Sequence, residues 1–176
     1  GNGTIDVLTM NAGGAEENLA YFLINDGQGN FTRSINRLPM ELQEVSSYTF
    51  ELIDVDRDGF IDLLTAGGEY TEGVTPVTIY WGSSTGLYRA PGKTVFPLPA
   101  GYGTVLDVAA EDIDGDGDKD VIVNRQPMGY TSGRYIQILR QVAPRQFVDE
   151  TASRISMDTS LATVTFDFFR VQDING

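Results

Sequence analysis

The chain repeats itself. Shifted by about 58 residues, most of its 176 positions align, and a unit of that length recurring along one chain calls for neighbouring copies of one small structural element. The acidic stretches 54–62 and 112–120 match first, with Asp62 and Asp120 58 positions apart, and Asp6 stands 56 positions ahead of Asp62 in the related string Asn2-Gly3-Thr4-Ile5-Asp6. Behind each acidic stretch runs a short apolar segment, at 5–8, 61–64 and 119–123. Some 15 residues later comes a second, at 21–24, 77–81 and 135–139. An aromatic then marks a third element at Phe31, Tyr88 and Phe147, and a fourth precedes each acidic stretch at 50–53, 105–109 and 166–171.

Each unit reads as four short strands. The segments are rich in Val, Ile, Thr, Tyr and Phe, the residues that suit a pleated surface, and are bounded by Gly, Asn, Asp and Pro. No segment sustains a 3.6-residue apolar period, and the best helical candidate, 15–19, is poor. Four-stranded units at this spacing predict an all-β fold of β-propeller blades made of four antiparallel strands, about three blades' worth, because a solenoid coil is normally shorter. The boundaries that follow are a partial blade at 1–45 lacking its first strand, full blades at 46–103 and 104–161, and at 162–176 the first strand and opening loop of a further blade. A propeller ordinarily has four to eight blades, so three point to a larger propeller or an assembly.

The charge is concentrated where the repeat is sharpest. Acids outnumber bases 25 to 12, and nine of the 25 lie in the stretches 54–62 and 112–120. Without those nine the net charge of −13 becomes −4, so the acidity is local and points to a cation. Asp54, Asp56, Asp58 and Asp62 occupy loop positions 1, 3, 5 and 9, with Gly59 at 6; Asp112, Asp114, Asp116 and Asp120 repeat the pattern around Gly117, with Asp118 at 7. Such spacing suits Ca²⁺, which takes six to eight oxygens in flexible geometry. Alternate positions turn toward one centre, glycine permits the sharp turn, and position 7 (Phe60 or Asp118) can donate a backbone carbonyl. An EF-hand shares the opening but requires flanking helices and an acid at position 12, where this chain has Thr65 and Val123.

The run 112–123, with Thr78-Ile79-Tyr80-Trp81-Gly82 and Asn25-Asp26-Gly27-Gln28-Gly29-Asn30-Phe31-Thr32, resembles the FG-GAP/VCBS repeats that build integrin-α-like β-propellers and many secreted bacterial proteins. The resemblance covers nearly the whole chain. It implies a calcium site between the first and second strands of each blade. The implied side-chain ligands are Asp54, Asp56, Asp58 and Asp62, then Asp112, Asp114, Asp116 and Asp120, with backbone oxygens from Phe60 and Asp118. The family's Phe-Gly and Gly-Ala-Pro signatures are degraded, with Ala66-Gly67-Gly68 standing for the latter in one repeat, which places the chain nearer the VCBS branch.

Composition removes several chemistries. With no Cys and no His, there are no disulfides, thiolate zinc sites, cysteine nucleophiles, histidine bases or histidine-assisted serine triads. The negative surface repels phosphate backbones, so no nucleic-acid partner is expected, and no apolar run is long enough for membrane insertion by a helix. An enzyme would draw on acids left over from calcium, among them Glu16, Glu17, Glu41, Glu44, Glu69, Glu72 and Glu111, with Lys93 and Arg134 as cations, and no spacing singles out a pair. A sugar-stacking platform from Tyr80, Trp81, Tyr102, Tyr130 and Tyr135 competes with plain core packing, which is the preferred account. The expectation is a non-enzymatic, extracellular or cell-surface calcium-binding module for recognition, adhesion or assembly, taking a protein or glycan ligand at its loop face. The alternative is a polysaccharide-active enzyme, lyase or glycosidase, or its carbohydrate-binding domain.

The two ends add one more expectation. Asp173-Ile174-Asn175-Gly176 supplies loop positions 1–4 and Gly1-Asn2-Gly3-Thr4-Ile5-Asp6 supplies 4–9, so that Asp173, Asn175, Asn2 and Asp6 would ligate one split loop. The chain reads either as an excerpt of a longer propeller or as a unit that self-assembles head to tail through its terminal strands.

Overall fold

In a computed structural model, residues 3–10, 20–43, 49–66, 76–127, 133–156, 168–172 and 174 are described. They form an all-β structure of three antiparallel sheets, each a simple up-and-down meander. The first holds β1 (Val7–Thr9), β2 (Tyr21–Asn25) and β3 (Phe31–Ser34). Four strands make the second: β4 (Thr49–Ile53), β5 (Asp62–Ala66), β6 (Val77–Tyr80) and β7 (Thr94–Val95). The third contains β8 (Tyr102–Glu111), β9 (Asp120–Pro127), β10 (Tyr135–Ala143) and β11 (Gln146–Asp149). Two single helical turns, α1 (Met40–Gln43) and α2 (Thr151–Arg154), follow β3 and β11.

The second sheet is covered on both faces, which explains its uninterrupted apolar runs. All five residues of β5 are buried. Successive side chains of a strand point to opposite faces, so Leu64 and Ala66 join Val77, Ile79 and Phe96 against Val108, Val121 and Val123 of the third sheet. Leu63 and Tyr80 point the other way, into a smaller core with Leu8, Phe22, Leu38 and Tyr88. The antiparallel ladder Leu63↔Tyr80, Leu64↔Ile79 keeps each pair on its own face. Where β4 and β8 run side by side, polar groups tie them together: Thr49 Oγ1 donates to Asp107 Oδ1 at 3.0 Å, and the Ala110 amide donates to Glu51 Oε2 at 2.7 Å.

Three sequence expectations are corrected. Tyr88 does not mark a third strand; β7 lies further on, at Thr94–Val95. Tyr88 is drawn onto the first sheet instead, where its ring stacks on Phe22 at 5.9 Å, its hydroxyl donates to the Ile61 carbonyl at 2.9 Å and its amide donates to the Arg37 carbonyl at 2.8 Å. Phe96 fills the aromatic position in its place, edge-on to Phe147 at 5.0 Å. Residues 168–171 are in no strand, and the Phe169 amide donates to the Asp107 carboxylate at 3.1 Å. The short turns α1 and α2 were not foreseen, since four residues are too few to show a helical period. The weak helical candidate at 15–19 and the remainder of the last expected strand, 163–167, lie outside the described residues.

Candidate metal centre

The two acidic loops occupy equivalent places. Residues 54–61 connect β4 to β5, and 112–119 connect β8 to β9, in both cases the first strand of a sheet to the second. Each loop turns through two left-handed residues. Gly59 (φ 87°) and Gly117 (φ 97°) hold position 6, where glycine meets no side-chain penalty. Arg57 (φ 60°) and Gly115 (φ 77°) hold position 4, a second left-handed site that the glycine at 115 could have signalled and the arginine at 57 conceals.

Short side-chain-to-backbone bonds wind each loop around its carboxylates. In the first, Asp54 Oδ2 accepts from the Gly59 amide (3.0 Å), Asp56 Oδ1 from Asp58 (3.1 Å) and Asp58 Oδ1 from Phe60 (2.9 Å). In the second, Asp112 accepts from the amides of Gly115 (2.8 Å) and Gly117 (2.9 Å), Asp114 from Asp116 (3.3 Å) and Asp116 from Asp118 (2.9 Å). The result is two triads. Asp54, Asp56 and Asp58 each bring a carboxylate oxygen within 4.8 Å of the others, and Asp112, Asp114 and Asp116 do the same. At that separation each pair of like charges repels by about 1 kcal/mol in a fully watery setting and about 3 kcal/mol at an effective dielectric of ~20.

Asp62 and Asp120 do something the spacing alone did not reveal. Both are 0% exposed, and each lies close enough to its loop's aspartates to feel their charge. Asp62 accepts from the amides of Val55 (2.8 Å) and Gly82 (2.7 Å), and Asp120 from those of Ile113 (3.2 Å) and Gln141 (2.8 Å). Each carboxylate thus staples the start of its loop to the chain around the end of the second hairpin strand. Asp6 makes the matching bond to the Asn25 amide at 2.9 Å. Burial pushes the Asp62 carboxyl up to about 6, against the pull of its two amide donors, and the nearby Asp56 and Asp58 raise it further. Burial likewise raises Asp120, with Asp114 and Asp116 adding to it. Phe60 and Asp118, at position 7, have their amides tied to the position-5 carboxylates. Asn2, Asp173 and Asn175 lie outside the described residues.

The triads fit a hard divalent cation. Every side-chain donor is a carboxylate oxygen, the set Ca²⁺ prefers over softer metals. Asp54 Oδ1 is buried and has no hydrogen-bond partner, an arrangement that is costly unless something positive satisfies it.

Arginines that sequence reasoning passed over approach both loops. Arg145, at the turn joining β10 to β11, places Nε on Asp56 Oδ2 and Nη2 on Asp58 Oδ2, the latter at 2.9 Å. In the second loop Arg154 reaches Asp114 at 3.1 Å, and Arg140 stands 3.9 Å from Asp114 and 3.7 Å from Asp116 while both arginines also bond Glu150. Gln141 sits between the sheets, donating to the carbonyls of Val55 and Lys119, each at 3.1 Å. The Arg145 contacts join residues 87 and 89 positions apart, so no local spacing could have shown them.

The other candidates are placed as follows. Tyr80 and Trp81 are buried, and Tyr102 stacks on Tyr135 at 4.6 Å, so these rings serve packing; Tyr130 lies outside the described residues. Glu41 pairs with Lys93 and accepts from the Tyr80 hydroxyl, and Glu111 pairs with Lys119. Glu16, Glu17, Glu44, Glu69 and Glu72 lie outside the described residues. A cavity of about 300 Å³ beside β4 and β8 is lined by Glu51, Asp107 and Glu111 together with Phe169 and Arg170.

Residues 54–123 match the family model described as FG-GAP-like repeat. No curated protein and no solved structure matches the chain. The matched stretch opens on the first aspartate of one acidic loop and closes three residues past the last aspartate of the next, so it holds one period of the repeat and the loop that opens the following one. Meandering sheets that pack face to face, with an acidic loop joining the first two strands of the second and of the third, are those of a β-propeller-type module, and residues 54–123 of the chain carry the FG-GAP-like repeat.

Proposed function

We propose that the chain is an extracellular calcium-binding β-propeller module that recognises a protein or glycan ligand and acts by binding, not by catalysis. The observation that carries the calcium reading is the pair of aspartate triads in one register, with a buried, unpartnered oxygen on Asp54. Asp54, Asp56 and Asp58 would hold one ion and Asp112, Asp114 and Asp116 another, with the carbonyls of Phe60 and Asp118 in reach by their loop position. Bound calcium supplies positive charge to three converging carboxylates. The loop residues do the rest: the Asx bonds hold the backbone turned, and Asp62 and Asp120 anchor each loop to the sheet. Fixed loops in turn keep the neighbouring strand ends in place as a binding surface.

Chelation tests this. A site filled only in the folded state adds RT ln(1 + [L]/Kd) to stability, or about 4 kcal/mol for two sites of Kd ~0.1 mM in ~2 mM calcium. For a chain of this size, that is a rise in Tm of roughly 8–15 °C. Calorimetric melts in calcium, magnesium and excess chelator should show the rise in calcium and little of it in magnesium. Identical melts in all three would end the calcium reading. A glycan array run beside a polysaccharide-cleavage screen separates recognition from turnover.

A further inference from the structure

We propose that Arg145 is a tethered counter-cation that competes with calcium for Asp56 and Asp58, so that the first loop binds calcium more weakly than the second and loading it loosens the junction between the second and third sheets. The proposal rests on the calcium reading of the loops.

The first loop has no spare carboxylate oxygens at positions 3 and 5. Asp56 gives Oδ1 to the Asp58 amide and Oδ2 to Arg145 Nε; Asp58 gives Oδ1 to the Phe60 amide and Oδ2 to Arg145 Nη2. A cation entering this loop must share or displace the guanidinium. In the second loop only Asp114 is bonded by an arginine side chain, at 3.1 Å, and Asp116 Oδ2 faces Arg140 at a loose 3.7 Å. The two loops therefore present unequal competition for a metal, although their aspartates share one register.

Arg145 is built into this position. It takes a left-handed backbone conformation (φ 63°), uncommon outside glycine and asparagine, and its amide is held by Gln141 Oε1 at 2.9 Å. Its guanidinium also lies 4.6 Å from the centroid of the Trp81 ring. One side chain of the third sheet thus grips a loop and a ring of the second. Because coupling between two binding events is reciprocal, whatever weakens calcium at the first loop is itself weakened by calcium there.

Trp81 is the single tryptophan of the chain, so its emission reports on Arg145 directly. Calcium is titrated by calorimetry into chelator-stripped wild type, Arg145→Met, Arg145→Lys and the second-loop double variant Asp112→Ala/Asp114→Ala, alone and combined with Arg145→Met. With the second loop disabled, Arg145→Met should tighten calcium binding by roughly three- to tenfold, the size expected for removing two partly exposed ion pairs. Arg145→Lys should fall between, since an ammonium lacks the fork that spans two carboxylates. In wild type, calcium should shift Trp81 emission with the affinity of the weaker site, and the shift should vanish in Arg145→Met. Unchanged or weaker calcium binding in Arg145→Met, or Trp81 emission indifferent to calcium in wild type that binds two ions, overturns the proposal alone. Absence of calcium heat from every protein overturns the calcium reading and this proposal together.

Discussion

Replacing Asp62 by alanine separates anchoring from ligation. Its two oxygens accept from the Val55 and Gly82 amides at 2.8 and 2.7 Å, and the side chain is 0% exposed. Hydrogen bonds to a charged acceptor contribute about 1.5–3 kcal/mol each, and removing the acceptor leaves buried donors unsatisfied. The gain from no longer burying a carboxylate, visible in the raised pKa, offsets part of that loss. A net destabilisation of about 2–4 kcal/mol follows, or a fall in Tm of roughly 4–16 °C. The decisive comparison is made in excess chelator. Asp62→Ala should lose this stability with no metal present, whereas Asp58→Ala gives up only exposed contacts to the Phe60 amide and Arg145, and should lose about 1 kcal/mol or less in chelator and more in calcium. Melts by far-ultraviolet circular dichroism, followed in both buffers, measure the difference. If Asp62→Ala melts within about a degree of wild type in chelator and drops only in calcium, the residue is a ligand and no anchor, and the reasoning from its amide donors is wrong.

Two further outcomes are expected. Burial raises the Glu51 carboxyl above the ordinary glutamate range, the Ala110 amide pulling it back and Glu111 and Asp107 pushing it up against Lys119. A raised acid holds its proton more tightly folded than unfolded, so between the ordinary value and the raised one stability grows as pH falls; Glu51→Gln should flatten that part of a Tm-versus-pH curve, and an unaltered curve would refute the assignment. Gly117→Ala sets a Cβ 2.7 Å from Arg57 Nη1 at a φ of 97°, so it should cost about 1–3 kcal/mol in denaturant melts, while Gly92→Ala, also at positive φ but with nothing within 4 Å, should cost less.

The strands were legible because the repeat printed them two or three times over. Sites 22–24, 79 and 136–138 could be compared with one another, and a pattern that recurs in register is hard to produce by chance. The aspartate triads were legible for the same reason. What the repeat hid was division of labour within the loop: position 9 looks like one more carboxylate, and only burial reveals that Asp62 and Asp120 face backbone amides. Tyr88 misled because it has the right spacing but finds a better partner in Phe22 on the first sheet. Arg145 and Gln141 were invisible because their work is done between sheets, across more than 80 residues of chain.

The two-sided burial of β5 also makes the repeats non-interchangeable. Leu63 and Leu64 are neighbours in sequence but answer to different surroundings, one to Leu8 and Phe22 of the first sheet and the other to the valines of the third. A chain in which 49–95 and 102–149 trade places would keep every loop motif and every strand. It would nevertheless set Val121 and Val123 where Leu63 now meets Leu8 and Phe22 of the first sheet. The order of the units is written into their faces, so a graft between such repeats must carry both flanking surfaces with it to fold.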